Sequence, residues 1–347
     1  MAERVLTARE LNRALLARQL LLERSPAPLP RVLERIGGLQ AQYAPSMYVG
    51  LWSRMTEFER EHLDRALERR TVVQGTLMRV TIHLVSAPDY WPFAVGLRHA
   101  RREWWVKTHK SRPSANELEE AAARLREYLR DGPRRQKEID EFFGGADPRR
   151  MNGVGLFLDL VRAPPSGTWD RRRADLYAAA EDWLGPETAT PEQGLDHLVR
   201  RYLVGFGPAP VRDVAGWAGL PASDVAAAVR RLSLRRFRSE SGDELVDVPR
   251  APLPDPDTPA PVRFLPTWDA TLLVHARRTQ ILPEDYRPLV FNTRTPHSVA
   301  TFLVDGRVAG TWSHGRGRIV TSPFVRLPAA ASRELEAEAD RLATLHS

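Results

Sequence analysis

Val211-Arg-Asp-Val-Ala-Gly-Trp-Ala-Gly-Leu-Pro-Ala-Ser-Asp-Val-Ala-Ala-Ala-Val-Arg-Arg-Leu232 carries two short helical segments, Val211 to Ala218 and Ala222 to Leu232, separated by the tight turn Gly219-Leu-Pro. Short helix, glycine turn, second helix is the grammar of a helix-turn-helix. A helix over Pro191 to Val204 and the turn Gly207-Pro-Ala-Pro210 precede it, and a charged hairpin around Ser239-Glu-Ser-Gly-Asp-Glu244 follows as a wing. A winged helix-turn-helix is therefore expected over residues 186–250.

The same order recurs twice upstream without close sequence identity. Thr7, with Glu10 three residues later, caps a helix over residues 7–24 whose apolar stripe is Leu11, Leu15, Leu16, Leu20 and Leu21. A second helix from about Leu29 stops at Gly37-Gly38, a third covers Glu57 to Arg69, and the β-branched run Thr71 to Val85 reads as a hairpin with Gly75 at its turn. Further on, helices are expected at Ser114 to Leu129, Gln136 to Phe143 and Val154 to Val161. Arg162-Ala-Pro-Pro-Ser-Gly-Thr-Trp169 then forms a wing, with Arg171, Arg172 and Arg173 behind it. Six prolines between Pro249 and Pro261 mark a boundary. Beyond them, β-rich runs at Arg263–Leu265, Thr271–Val274, Ser298–Val304, Arg307–Trp312 and Arg318–Thr321 surround the hairpin turn Asp305-Gly306, and Ala329 to Leu345 is an amphipathic helix. The expected class is α+β and mainly helical: three tandem winged units at 1–110, 111–185 and 186–250, then a C-terminal β module with a terminal helix at 262–347.

With 347 residues and 42% apolar content, the chain can bury a substantial core. No apolar run reaches the ~18 residues of a membrane span, and the N-terminus lacks a signal-peptide pattern, so a cytoplasmic protein without membrane contact is expected. The absence of cysteine excludes disulfides, iron–sulfur clusters and thiolate chemistry. The net charge is +7, and only Lys107, Lys110 and Lys137 are lysines. Arginine grips phosphate as a planar fork, but a GC-rich genome also writes Arg for Lys, so charge alone is weak evidence for nucleic acid.

Gln40 and Gln42 lie in Ile36-Gly-Gly-Leu-Gln-Ala-Gln-Tyr-Ala-Pro-Ser-Met-Tyr-Val-Gly-Leu-Trp52, just past the helix stop. Amides among apolar residues need partners from protein, water or ligand. On the residues alone they either cap backbone groups or serve a site. Thr311-Trp-Ser-His-Gly-Arg-Gly-Arg-Ile319 presents His314, Arg316 and Arg318 near a glycine-bearing turn, either a plain exposed turn or a basic fingertip for a DNA groove. His275-Ala-Arg-Arg-Thr279 is equally open. Arg101-Arg102 beside Trp104-Trp105 fits a core helix face better than a DNA platform, and His62 and His346 read as solvated. No phosphate loop or metal-spaced histidine pair is present, so neither a nucleotide cofactor nor a metal is expected.

Gly37-Gly-Leu-Gln-Ala-Gln-Tyr-Ala-Pro-Ser46, Arg70-Thr-Val-Val-Gln-Gly-Thr-Leu-Met-Arg79 with His83-Leu-Val-Ser86, and His275-Ala-Arg-Arg-Thr279 resemble the winged-helix DNA glycosylases of the AlkZ and YcaQ type. The resemblance covers essentially the whole chain, and Gln40-Ala41-Gln42 matches the Gln-apolar-Gln motif of the AlkZ-like branch, where the YcaQ-like branch ends in Asp. It implies a basic channel for duplex DNA and hydrolysis of the N-glycosidic bond of N7-alkylated purines, extending in family members to bulky adducts, crosslink unhooking and self-resistance. It also implies catalytic roles for Gln40 and Gln42, and DNA contacts by Ser46, Arg79, His275, Arg277, Arg278, His314, Arg316 and Arg318. A monomer acting in base excision repair is expected. The competing reading is a non-enzymatic winged-helix regulator or lesion binder, although regulators usually dimerise around a single such unit.

Overall fold

Local chemistry opens the first unit as the sequence predicts. In the computed structural model, which describes residues 3–109, 113–272, 276–291 and 298–347, the short strand β1 (Val5–Leu6) leads into α1 (Ala8–Arg18). Thr7 and Glu10 form a reciprocal capping box there. Left-handed Gly37, at φ 79°, closes α2 (Leu29–Ile36), as a residue without Cβ does at little cost. The chain continues through β2 (Leu39–Gln40), α3 (Ala44–Trp52) and α4 (Arg60–Glu68) to the hairpin of β3 (Val72–Thr76) and β4 (Ile82–Ser86), then α5 (Ala87–Thr108).

Two expectations change in this unit. Gln40 is not at a helix terminus but in β2, which pairs with β4 and sets Gln40 opposite His83. Gly75 is not the hairpin turn. It lies inside β3, where a Cβ would sit 2.5 Å from the Tyr90 ring. The turn spans residues 77–81, and Arg79 and Val80 take left-handed φ values of 51° and 57° there.

The second unit holds α6 (Ala115–Tyr128), β5 (Arg134–Arg135), α7 (Gln136–Phe142), α8 (Pro148–Phe157), β6 (Leu160–Arg162), β7 (Leu176–Ala179) and α9 (Ala180–Leu184). Its third helix starts six residues before the expected Val154, because Asp147 caps the backbone of Arg149 and Arg150. Leu160 and Val161, expected at the end of that helix, instead form with Arg162 a strand that pairs with β3 and β7. One sheet of order β2-β4-β3-β6-β7-β5 therefore joins the strands of the first two units.

The third unit follows the predicted order: α10 (Pro191–Phe206), α11 (Val211–Ala218), α12 (Ala222–Arg231), then β8 (Arg235–Ser239) and β9 (Glu244–Asp247), with β1 added parallel to β8. Beyond the proline-rich linker come β10 (Arg263–Leu265), α13 (Arg287–Val290), β11 (Thr301–Val304), β12 (Arg307–Gly315), β13 (Arg318–Pro323) and α14 (Ala329–His346), the strands forming one antiparallel sheet in chain order. Asp305 and Gly306, both at positive φ, make the predicted hairpin turn. Thr271 and Leu272 lie in a turn rather than a strand, and Val274 is outside the described residues. Among the described residues no helix is long and apolar enough to cross a membrane.

Backbone contact between α5 and α10 fixes the centre of the molecule. A Cβ on Gly194 would stand 2.5 Å from the Pro92 carbonyl oxygen, and one on Gly96 would stand 2.7 Å from the Gly194 backbone. Backbone cannot yield as a flexible side chain would. Gly194→Ala should therefore cost ~1–3 kcal/mol, read as a lower urea unfolding midpoint; an unchanged midpoint would mean that the helices part freely.

Candidate active site

The amide motif is held by its neighbour strand. Ala41 N–H donates to the Ile82 carbonyl at 2.7 Å, and Ile82 N–H donates to Gln42 Oε1 at 3.3 Å. Gln40 is buried and Gln42 exposed, so one amide is built into the protein and the other faces out of it. Arg79 Nη2 donates to Gln40 Oε1 at 3.0 Å, while its Nη1 donates to the Trp217 carbonyl at the end of α11. The fork thus ties the motif strand of the first unit to the third. The left-handed backbone at Arg79 aims it there, and Gly219 packs so closely that a Cβ would lie 3.1 Å from the Arg79 Cα. Non-glycine residues in this region are strained, and such strain collects at functional sites.

The charge hydrogen-bonded to the motif is the Arg79 guanidinium on Gln40. Burial pushes the Arg79 guanidinium down to about 10, still charged at neutral pH. Burial, reinforced by the Arg79 charge, pushes His83 down to about 3. His83 is therefore neutral, and its Nδ1–H donates to the Thr81 carbonyl at 3.0 Å.

Two cavities flank the motif. The first, about 300 Å³, is lined by Tyr43, Ser46, Trp169, Arg172, Trp312 and His314 among others. Ser46 and Thr267 share a hydroxyl hydrogen bond of 2.9 Å, and Arg172 donates to the Tyr43 hydroxyl at 3.1 Å. His346, expected in solvent, instead stacks on His314 with ring centroids 4.3 Å apart, and burial pushes it down to about 4. The second cavity, about 170 Å³, is lined by Gln42, Thr76, Asn152, Arg162 and Tyr177 with several apolar residues. No carboxylate lines either cavity among the described residues.

Other predicted residues fall in different places. Arg316 and Gly317 form the tight turn between β12 and β13, leaving Arg316 and Arg318 exposed at the hairpin tip. Arg277 is exposed and paired with Glu284 at 2.6 Å. Arg278 does not present its side chain to solvent as a basic loop would. It is buried, donating to the carbonyls of Ala270 and Thr271, both at 2.9 Å, and to the Tyr202 hydroxyl at 3.2 Å. His275 lies outside the described residues. Of the two tryptophans expected on a core helix face, Trp105 is buried and stacked on His109, but its neighbour Trp104 is exposed. The structure thus brings Gln40, Gln42 and Arg79 together, with Ser46 and His314 on the adjoining cavity. Sequence reasoning missed Tyr43, Trp169, Asn152, Arg162 and Tyr177. Only Trp169, closing the glycine- and proline-rich wing, had a local signal.

The fold that holds these amides has counterparts among known proteins. The chain matches the family described as "DNA glycosylase AlkZ-like" over residues 33–345 and belongs to it. Members of that family are hydrolases of the N-glycosidic bond. A relative is the interstrand DNA cross-link repair glycosylase of Streptomyces sahachiroi, 23% identical over 356 residues that cover 94% of this chain and 93% of the relative. The solved structure of Streptomyces sahachiroi DNA glycosylase AlkZ has the same fold, with a TM-score of 0.81 at 18% identity over 98% of this chain and 97% of the other.

Proposed function

We propose that this protein is a monofunctional DNA glycosylase that removes N7-alkylated purines from duplex DNA, bulky adducts and interstrand crosslinks included, in repair or in self-resistance to a genotoxic natural product. The observation that carries the reading is the carboxylate-free amide site. Alkylation at N7 makes the purine a cation, so the base leaves readily and the enzyme has little bond-breaking to assist. What remains is to place a water and to support the oxocarbenium ion that develops on the sugar.

Gln42 suits the water. It faces outward, and its Oε1 accepts one bond from Ile82 N–H, which leaves the second lone pair of that oxygen to orient a nucleophile. Gln40, whose Oε1 accepts from Arg79, sets the position of the strand and directs its amide dipole at the reacting sugar. Units at 1–110, 111–185 and 186–250 and the module at 262–347 frame the duplex, with Arg316 and Arg318 entering a groove. The relative's printed role in cross-link repair supports large lesions as substrates.

The test is incubation with duplex DNA carrying N7-methylguanine, a bulky N7 adduct or a crosslink, followed by alkaline cleavage at abasic sites. Binding without release of any of the three would favour the non-enzymatic DNA-binding reading. Arg79→Lys should keep the charge but lose the fork that spans Gln40 and Trp217, lowering kcat about tenfold with little change in KM, the loss of one charge-assisted hydrogen bond. An unaltered kcat would show that Gln40 needs no such anchor.

A further inference from the structure

Two of the fully buried arginines meet a carboxylate. Arg18 pairs with Asp247 and Arg54 with Asp269, all four side chains buried. Arg162 differs. Its backbone stands in the sheet that joins the first two units, paired in register with Gln74 on β3 and Tyr177 on β7. Nη1 donates to Thr76 Oγ1 at 2.8 Å, the guanidinium lies 4.9 Å from the Tyr177 ring centroid, and Nε is buried without a hydrogen-bond partner. Among the described residues it forms no ion pair, and burial pulls its pKa below the ordinary arginine value. A second guanidinium adds to the local excess. Arg101 is buried nearby, both it and Arg162 acting on Tyr90, and its Nε and Nη1 also lack partners.

Arg162 is half-buried, and a cation drawn partly out of water without a counter-charge gives up hydration that no ion pair offsets. Arg162 also lines the same cavity as Gln42, together with the hydroxyl-bearing Thr76 and Tyr177 and the amide of Asn152. Such a donor set suits a tetrahedral oxyanion, and the planar fork of arginine matches phosphate oxygens. From the geometry we infer that this cavity is a phosphodiester subsite, in which Arg162 receives a backbone phosphate of the lesion strand next to the damaged nucleotide. The inference rests on the glycosylase reading and deepens it. Holding that phosphate beside Gln42 fixes the sugar relative to the attacking water, a gain in orientation rather than in base recognition. Backbone capture leaves the alkylated base unconfined, so its bulk does not oppose binding.

The test uses the full chain and duplexes with one N7-methylguanine in which each of the two phosphates on either side of the lesion is replaced, one at a time, by an uncharged methylphosphonate. Single-turnover base release and equilibrium affinity are measured for wild type and Arg162→Gln. Arg162→Gln should slow release about 10- to 100-fold, the span of a charge-assisted hydrogen bond. One methylphosphonate position should slow the wild type equally, and the variant should lose nothing further there. The slope of log affinity against log salt should fall by about one. Additive losses at all four positions, or an Arg162→Gln enzyme as fast as wild type, would overturn the subsite. If the variant does not fold, the wild-type scan decides alone: indifference to all four replacements refutes the proposal. Failure of wild type to release base from the unmodified lesion duplex would instead sink the glycosylase reading, and the affinity scan would still judge the phosphate contact.

Discussion

Gln42→Ala should lower the single-turnover rate of base release by about 100- to 1,000-fold, the usual loss when one preorganised polar group is removed from a transition state, while the unfolding midpoint stays put. The two halves of this expectation have separate causes. Gln42 is exposed, and its one bond, from Ile82 N–H at 3.3 Å, lies beside the stronger backbone bond from Ala41 N–H to the Ile82 carbonyl at 2.7 Å. Deleting the side chain leaves that backbone bond and adds no buried orphan. Gln40→Ala should behave differently. Gln40 is buried and accepts from the enclosed Arg79, so its loss strands a charged donor and should lower stability as well as rate. Comparing the variants therefore separates a group that faces the reaction from one that holds the strand. Gln42→Asp adds a chemical test, because a carboxylate acts as a base only when ionised. That variant should retain activity with an acid limb in its pH profile, whereas the wild type, with neutral amides and a His83 held near 3, should show no such limb above pH 5. Unchanged release by Gln42→Ala would remove the amide from the mechanism.

The legible parts of this chain were those fixed by local chemistry. Thr7 with Glu10, Gly37 after α2, and the turn between α11 and α12 each state their structure within a few residues, and the structure agrees with all three. Misreadings occurred where distant partners decide. Leu160–Arg162 is strand because β3 and β7 lie on either side of it, and three residues carry too little pattern to say so. The two-residue strand β2 owes its form to β4, and its residues could be read only as the segment just past a helix stop. The start of α8 was different, since Asp147 before Pro148 is a local cap signal that the apolar run from Val154 outweighed. At the site, the glutamine pair was visible by resemblance, but Arg79 reaching Trp217 spans 138 residues. Arg162 beside Gln42 depends on two units sharing one sheet. His346 reads as solvated along α14, and only the folding of the β12–β13 hairpin against that helix brings it onto His314.

Arg54→Met should destabilise the protein by ~3–5 kcal/mol at pH 7, the cost of leaving a buried charge unpaired. Arg54 follows α3, directly behind the amide motif, and grips Asp269 through two bonds of 2.9 and 3.0 Å. It also donates to the Gly50 carbonyl, Gln19 and Thr271. This is one link from the segment after the motif to the C-terminal module, beside the Ser46–Thr267 bond. Burial alone would raise the Asp269 carboxyl, but the Arg54 guanidinium outweighs it and holds the group below its usual value. A depressed folded-state pKa contributes stability above the unfolded-state pKa, and the contribution is lost as pH falls through the folded value. The wild type should therefore keep this contribution from neutral pH down to the ordinary carboxylate range and lose it below. Without Arg54 the sign reverses, because burial then dominates and the carboxyl prefers its proton. The gap between variant and wild type should accordingly be widest at neutral pH and shrink on acidification. Replacing both partners, Arg54→Met with Asp269→Leu, should recover much of the loss, since no charge is then left unpaired. Urea unfolding at pH 7 and pH 5 would measure all of these. A gap that does not change with pH would mean that Arg54 contributes by packing rather than by neutralising Asp269.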